Sequence, residues 1–291
     1  MLKINVLGAT SLIGSYFVDS NINYEIISFS RQNKNCLILD LNNEKTFSNI
    51  SYDNSLLISF APIWLVKNLF VNLKKNNLEK LKTLKGVILY SSSSAITKKF
   101  AANKFDKNLS KKLISSEKTI LNICKKNSIN CIIVRPTIVY GVYKGLNDKN
   151  FSGIKKIFKK ITFCFIPADT GYRQPIHFSD LSKITFLLLK QLNKNNSKGI
   201  TCKIIEVGGD EELTYSELLF RLANFDQNKR KKSCKLISIP NKIFYLFISP
   251  LLFFKPKLFE EIFRMQSDLS GFPKCSSYTG DELKKFPVKT F

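Results

Sequence analysis

Residues 3 to 18, KINVLGATSLIGSYFV, constrain this chain more than any other stretch. Lys3 to Leu7 is a β-branched and aliphatic run of strand length. Gly8 and Gly14 bracket a turn, and Leu12, Ile13, Tyr16 and Phe17 recur at helical spacing. The pattern predicts a strand, a tight turn and a helix. Such a turn, directly after a first buried strand, can seat a phosphate, because the unpaired N–H groups of the helix start face the anion at close range. Gly8 suits the chain reversal and Gly14 the close packing of helix on strand. Ser11 stands where a third glycine would lie, and either donates to a phosphate oxygen or holds the phosphate further off. Thr10, Ser11, Leu12 and Ile13 thus join the two glycines as candidate nucleotide-binding positions, with an ordinary βα turn as the alternative.

The same rhythm continues. Tyr24 to Ser30 reads as a second strand followed by Arg31. An acid there would favour the ribose hydroxyls of NAD and a base the 2′-phosphate of NADP, so Arg31 points to NADP, with NAD the alternative. Cys36 to Leu39 makes a third strand ending at Asp40, which either accepts from an adenine amino group or serves as a turn or N-cap residue. Ser55 to Phe60 is the fourth, ahead of Ala61-Pro62 and a helix over 63–77. Gly86 to Tyr90 is the fifth and runs into Ser91 to Ser94. An amphipathic stretch over 108–127 packs back, and Cys131 to Val134 forms the sixth, ending at Arg135. Short apolar strands alternating with helices describe a Rossmann-type α/β fold, a doubly wound parallel sheet, with a smaller and mostly C-terminal substrate lobe. Residues 1–135 are assigned to the nucleotide-binding domain, with returns near 177–206, and 136–291 mainly to the lobe. Gly8 to Gly14, Arg31, Asp40, Ala61, Ser91 to Ser94 and Arg135 all fall at carboxyl ends of strands, where such sheets bind ligands.

The net charge of +24 invites a nucleic-acid reading. Yet the lysines are scattered among asparagines, only Lys229 to Lys232 (KRKK) forms a cluster, and no basic groove with interleaved aromatics accompanies them. The charge is read as solvated faces with no nucleic-acid partner, favouring small polyanions and acidic membrane surfaces. Seven cysteines without a CxxC pair and a single histidine speak for a reducing compartment and against a metal site. The N-terminus enters a strand directly, so cytoplasm is the expected location. Ile243 to Phe254 is strongly apolar but would make only about 18 Å of helix against a bilayer core of about 30 Å, and Pro250 interrupts it. It is either a buried helix or, with Lys242, Lys255, Lys257 and the KRKK cluster, a peripheral contact with the inner face of a membrane.

GATSLIG, YSSSS, VRPTIVYG (134–141) and YRQPIHFSDL (172–181), in this order and spacing, resemble the short-chain dehydrogenase/reductase superfamily. They look like its extended branch, the NAD-dependent epimerase/dehydratase family acting on nucleotide sugars, and the likeness covers essentially the whole chain. The resemblance implies a cofactor on Gly8, Ser11 and Gly14, an adenine contact at Asp40-Leu41, and cofactor lining at Ala61 and Ser91. It implies a catalytic hydroxyl at Ser93, substrate pyrophosphate on Arg173, and a substrate region shaped by Arg135, His177 and Asp180. For His177 a structural hydrogen-bonding role is the other reading. A homodimer is among the assemblies it allows.

One departure stands out. The family's chemistry uses a Tyr and a Lys in a Y-x-x-x-K helix. Between Tyr90 and Tyr140 this chain has no tyrosine, and aligning Glu117 with the acid usual there puts Leu109 and Leu113 at the two catalytic places. Tyr140, with Tyr143, lies in the VYG loop and is the candidate relocated acid. Two functions are thus expected. The first is an NAD(P)-dependent epimerase, dehydratase or reductase of a nucleotide sugar in cell-surface polysaccharide synthesis. The second is a redox-silent NADP-binding sensor or assembly factor.

Overall fold

The computed structural model describes residues 2–101, 103–194, 201–225 and 234–288. The chain forms two compact units, Met1–Thr137 with Phe178–Val207, and Ile138–His177 with Gly208–Phe291. The first unit is built on seven parallel strands: β1 (Lys3–Leu7), β2 (Glu25–Ser30), β3 (Leu37–Ile38), β4 (Leu56–Ser59), β5 (Gly86–Tyr90), β6 (Asn130–Pro136) and β7 (Cys202–Val207). Their order is β7-β6-β5-β4-β1-β2-β3. The sheet grows outward in both directions from β1 and β4, so the connections leave those neighbouring strand ends toward opposite faces and open a crevice between them. This is the Rossmann-type doubly wound fold. The register aligns the carboxyl ends: Leu7 pairs with Phe29 and Ser59, Ser59 with Leu89, and Arg135 with Glu206.

The strands are apolar because both faces are covered. Ile4, Val6 and Leu7 of β1, and Cys131 to Val134 of β6, have no exposed surface. The covering helices are α1 (Leu12–Ser20), α2 (Ile63–Asn76), α3 (Lys104–Lys126) and α4 (Phe178–Lys194). α3 begins four residues ahead of the expected start because Asn103 caps it, accepting from the Asp106 amide at 2.7 Å, and Asp106 in turn pairs with Lys98 at 2.7 Å. Its inward face, from Leu113 through Glu117 to Ile120 and Cys124, is buried at helical spacing.

The second unit consists of two-stranded pieces and short helices. Phe163–Pro167 pairs in parallel with Lys235–Ile239, Tyr172–Arg173 runs antiparallel to Leu213–Thr214, and Ile176–His177 lies beside Val139–Tyr140. Its core gathers Tyr140, Phe151, Ile166, Leu213, Leu218, Leu222 and Phe286. The apolar run expected as one buried or interfacial helix is two helices, Asn241–Ile248 and Leu251–Phe254, broken at Pro250, which has no N–H to continue the ladder. Phe244 is buried there, but Phe253 and Phe254 are 84% and 82% exposed, so a buried helix does not describe it. The KRKK cluster, Lys229 to Lys232, lies outside the described residues. No helix among the described residues is long and apolar enough to cross a membrane.

Candidate nucleotide site

The turn after β1 is built in backbone. Gly8 adopts φ +73°, and a Cβ there would stand 3.0 Å from the Ala61 amide nitrogen at the end of β4. A Cβ on Gly14 would fall 2.3 Å from the Gly8 carbonyl oxygen, so only glycine lets α1 approach the turn this closely. Ser11 is the N-cap of α1, its Oγ accepting from the Gly14 amide at 3.1 Å. That contact uses an oxygen lone pair and leaves the hydroxyl proton to donate elsewhere, which reconciles capping with phosphate binding. The amides of Leu12 and Ile13 stand in the first turn, where no intrahelical carbonyl reaches them. Thr10 is exposed beside them. The positive end of α1, the Ser11 hydroxyl and two unpaired amides form a cradle that fits a pyrophosphate.

Around the turn the other candidates fall into two groups. Ala61, Ser91 and Ser93 stay at the crevice: Ala61 against Gly8, and Ser91 and Ser93 half-buried after β5, their amides donating to Val134 and Pro136 at 2.8 and 3.0 Å. Nothing among the described residues hydrogen-bonds to Ser93 Oγ. Arg31 is exposed in the turn past β2. Asp40, by contrast, has the turn role: its Oδ1 accepts from the Asn42 amide at 3.0 Å, while its backbone bonds Thr46. Leu41 packs into the core at 6% exposure rather than lining the crevice.

Arg135, expected in the substrate region, is paired within its own unit. Its Nε and Nη2 grip the two oxygens of buried Glu117 at 3.0 and 2.5 Å, and its Nη1 reaches Glu206 at 3.0 Å. This bidentate bond holds the guanidinium pKa above its ordinary value and commits three of its five N–H groups within the protein. Ser91 also donates to Glu117. This network joins β5, α3, β6 and β7 and was not apparent in the sequence, although an acid at helical spacing with Leu113, Ile120 and Cys124 was its signal. One and two turns before Glu117, Leu113 is 3% exposed in the core and Leu109 packs against it. The positions where the resemblance places Lys and Tyr are thus filled by packing.

In the second unit the expected substrate residues point inward. Arg173 is 3% exposed; it donates to the carbonyls of Tyr172 at 2.8 Å, Arg264 at 2.6 Å and Ser267, and lies over the Tyr215 ring. Burial lowers its pKa. A pyrophosphate would have to displace those carbonyls. His177 is 4% exposed, packs edge-on against Tyr140 with centroids 5.1 Å apart, and is pushed down to about 4 by burial and by Lys284. Tyr140 is itself in the core against Phe151 and Phe286, its hydroxyl accepting from the Val288 amide at 3.2 Å. The chain's one Tyr-x-x-x-Lys spacing is Tyr140 to Lys144, but it crosses Gly141 at φ +127° and ends at Lys144 at φ +46°, so the pair shares no helical face.

No family model matches the sequence, and no curated protein matches it. Solved structures do match in shape. The UDP-N-acetylglucosamine 4-epimerase from Bacillus cereus superposes with a TM-score of 0.60 at 18% identity, over 94% of this chain and 99% of that one. The UDP-glucuronic acid 4-epimerase from Bacillus cereus, in complex with UDP-glucuronic acid and NAD, gives 0.58 at 18% identity over 82% and 86%. The dTDP-glucose 4,6-dehydratase from Bacillus anthracis, in complex with NAD, gives 0.60 at 18% over 82% and 85%. The likeness is one of fold. It covers between 82% and 94% of this chain.

Proposed function

We propose that the protein is an NADP-dependent epimerase, dehydratase or reductase of the extended short-chain kind. Its substrate is a nucleotide-linked sugar used in cell-surface polysaccharide synthesis, and it works in the cytoplasm at the inner face of the membrane. The observation that carries the reading is the Gly8 to Gly14 cradle at the reversal point of the sheet, with the Ser93 hydroxyl uncommitted two strands away. Gly8, Gly14, Ser11 and the amides of Leu12 and Ile13 would hold the dinucleotide's pyrophosphate, and exposed Arg31 suits a 2′-phosphate. The nicotinamide, when bound, supplies reversible hydride acceptance. Ser93 would hydrogen-bond the reacting sugar oxygen, a role open to it because no described group occupies its Oγ. The fold likeness to nucleotide-sugar enzymes supports the substrate class.

The packing of Leu109 and Leu113 favours a second reading, a protein that binds NADP without turning it over. One experiment separates them: calorimetric titration with NADPH and NADH, then incubation of the protein loaded with NADP+ or NAD+ with UDP-, GDP- and dTDP-sugars deuterated at the carbinol carbon, and of the NADPH-loaded protein with the corresponding keto sugars. Conversion of a sugar, or deuterium reaching the nicotinamide, establishes the enzyme. Tight NADPH binding with neither establishes the silent module, and absence of binding to either dinucleotide overturns both.

A further inference from the structure

The second unit carries an apolar surface that its own core does not use. Leu246, Phe247, Leu252, Phe253 and Phe254 project from the two short helices on either side of Pro250, each about half to four-fifths exposed. A monomeric protein rarely leaves so many large side chains together in water without a partner for them. The tip is held in place from beneath. Phe244 is buried, Tyr245 packs edge-on against Phe263 at 5.4 Å, and Ser249 Oγ donates to the Leu246 carbonyl at 2.8 Å, closing the break. The apolar residues are therefore displayed by a built support.

The charge around the tip identifies the occupant. From Gln227 to Phe259 the sequence contains no Asp or Glu. Exposed Lys242 and Lys255 stand at the two ends of the apolar segment. A second copy of the chain is a poorer fit, because a two-fold contact would set the same patch, and the same lysines, against itself. An anionic bilayer fits both features at once: acyl chains take the Leu and Phe side chains, and headgroup phosphates take the lysines. The helices are too short to cross, so the seating is interfacial.

We propose that the tip around Pro250, with Leu246, Phe247 and Leu252 to Phe254 flanked by Lys242 and Lys255, is an interfacial docking surface for an anionic lipid bilayer. It deepens the membrane placement proposed above and rests on that part of the reading alone. The test is vesicle flotation of the full-length protein with phosphatidylcholine vesicles and with phosphatidylcholine/phosphatidylglycerol vesicles. The expected result is flotation with the anionic vesicles, reduced at least about tenfold by the double variant Phe253→Ser/Phe254→Ser. Lys242→Glu/Lys255→Glu should abolish the preference for anionic lipid. All of these side chains are exposed, so the variants keep their fold, and NADPH titration of each preparation verifies it. No flotation with either vesicle, or flotation indifferent to the double variant, overturns the proposal. So does a stable dimer in sedimentation that the double variant dissociates. Wild-type protein that binds NADPH but floats with neither vesicle counts against this surface alone, and wild-type protein that floats but binds no dinucleotide counts against the cofactor reading alone.

Discussion

The turn after β1 and the segment Tyr172 to His177 both invite a ligand when read as residue types, but the structure treats them differently. At the turn, the features that suit an anion are backbone features: a left-handed Gly8, a helix start, and a Gly14 so close to Gly8 that no side chain fits. In the second segment the inviting features are side chains, an arginine and a histidine, and both are committed inside their own unit. Backbone geometry is specified by local sequence, so a glycine pair reports it directly. What an arginine does depends on which carbonyls or carboxylates the distant chain brings to it.

The comparison is most exposed to disproof at Arg173. If its guanidinium is structural, Arg173→Ala leaves the carbonyls of Tyr172, Arg264 and Ser267 unpaired in a buried setting, and unfolding free energy falls by about 4 kcal/mol. Urea denaturation of variant and wild type measures it. A variant of unchanged stability that has lost affinity for UDP-sugars would restore the pyrophosphate role and undo the contrast.

His177 sharpens the same side through pH. Its folded pKa of about 4 lies below the ordinary 6.5, so the folded state resists a proton that the unfolded chain accepts. Stability from this group is complete above pH 6.5 and declines as pH falls toward 4, by about 3 kcal/mol in all. His177→Phe, which preserves the ring packing on Tyr140, should flatten that part of the pH profile in denaturation between pH 7 and 4.5. Equal slopes in the two proteins would mean that the imidazole titrates normally and is open to solvent or ligand.

How much could be read in advance follows the same division. β1, the glycine turn, β5 and the parallel character of the sheet were legible, because continuous apolar strands and a glycine pair are local signals with few alternative uses. Asp40 was legible only as a choice, since a turn carboxylate and an adenine acceptor look alike until the Asn42 amide is seen to take it. Arg135 was not legible, because Glu117 and Glu206 lie 18 and 71 residues away on other elements. The run around Pro250 was ambiguous for a physical reason: apolar composition suits a core and a lipid surface equally, and only the packing of Phe244 against the exposure of Phe253 tells them apart.

On the other side, the turn should fail as geometry. Gly14→Ala places a methyl 2.3 Å from the Gly8 oxygen and 2.9 Å from Ser11 Oγ, so turn and helix must separate. NADPH affinity should fall about thirtyfold, equivalent to about 2 kcal/mol, by calorimetric titration. Unchanged affinity would show that the dinucleotide sits elsewhere, or that none binds.

The smallest effect belongs to Ser11, where two roles share one oxygen. As N-cap, Ser11→Ala should cost about 1 kcal/mol of stability and Ser11→Gly only a few tenths. If capping were the whole role, Ser11→Gly would bind NADPH nearly as well as wild type. If the hydroxyl proton also reaches a phosphate oxygen, the glycine variant keeps its stability yet loses affinity by about five- to tenfold, the net value of one ordinary hydrogen bond. We expect the second pattern, because the Gly14 amide occupies only an Oγ lone pair and leaves the hydroxyl proton available to donate. Coincident losses of stability and affinity in Ser11→Ala, with neither in Ser11→Gly, would reduce the residue to a cap and make the cradle one of backbone alone.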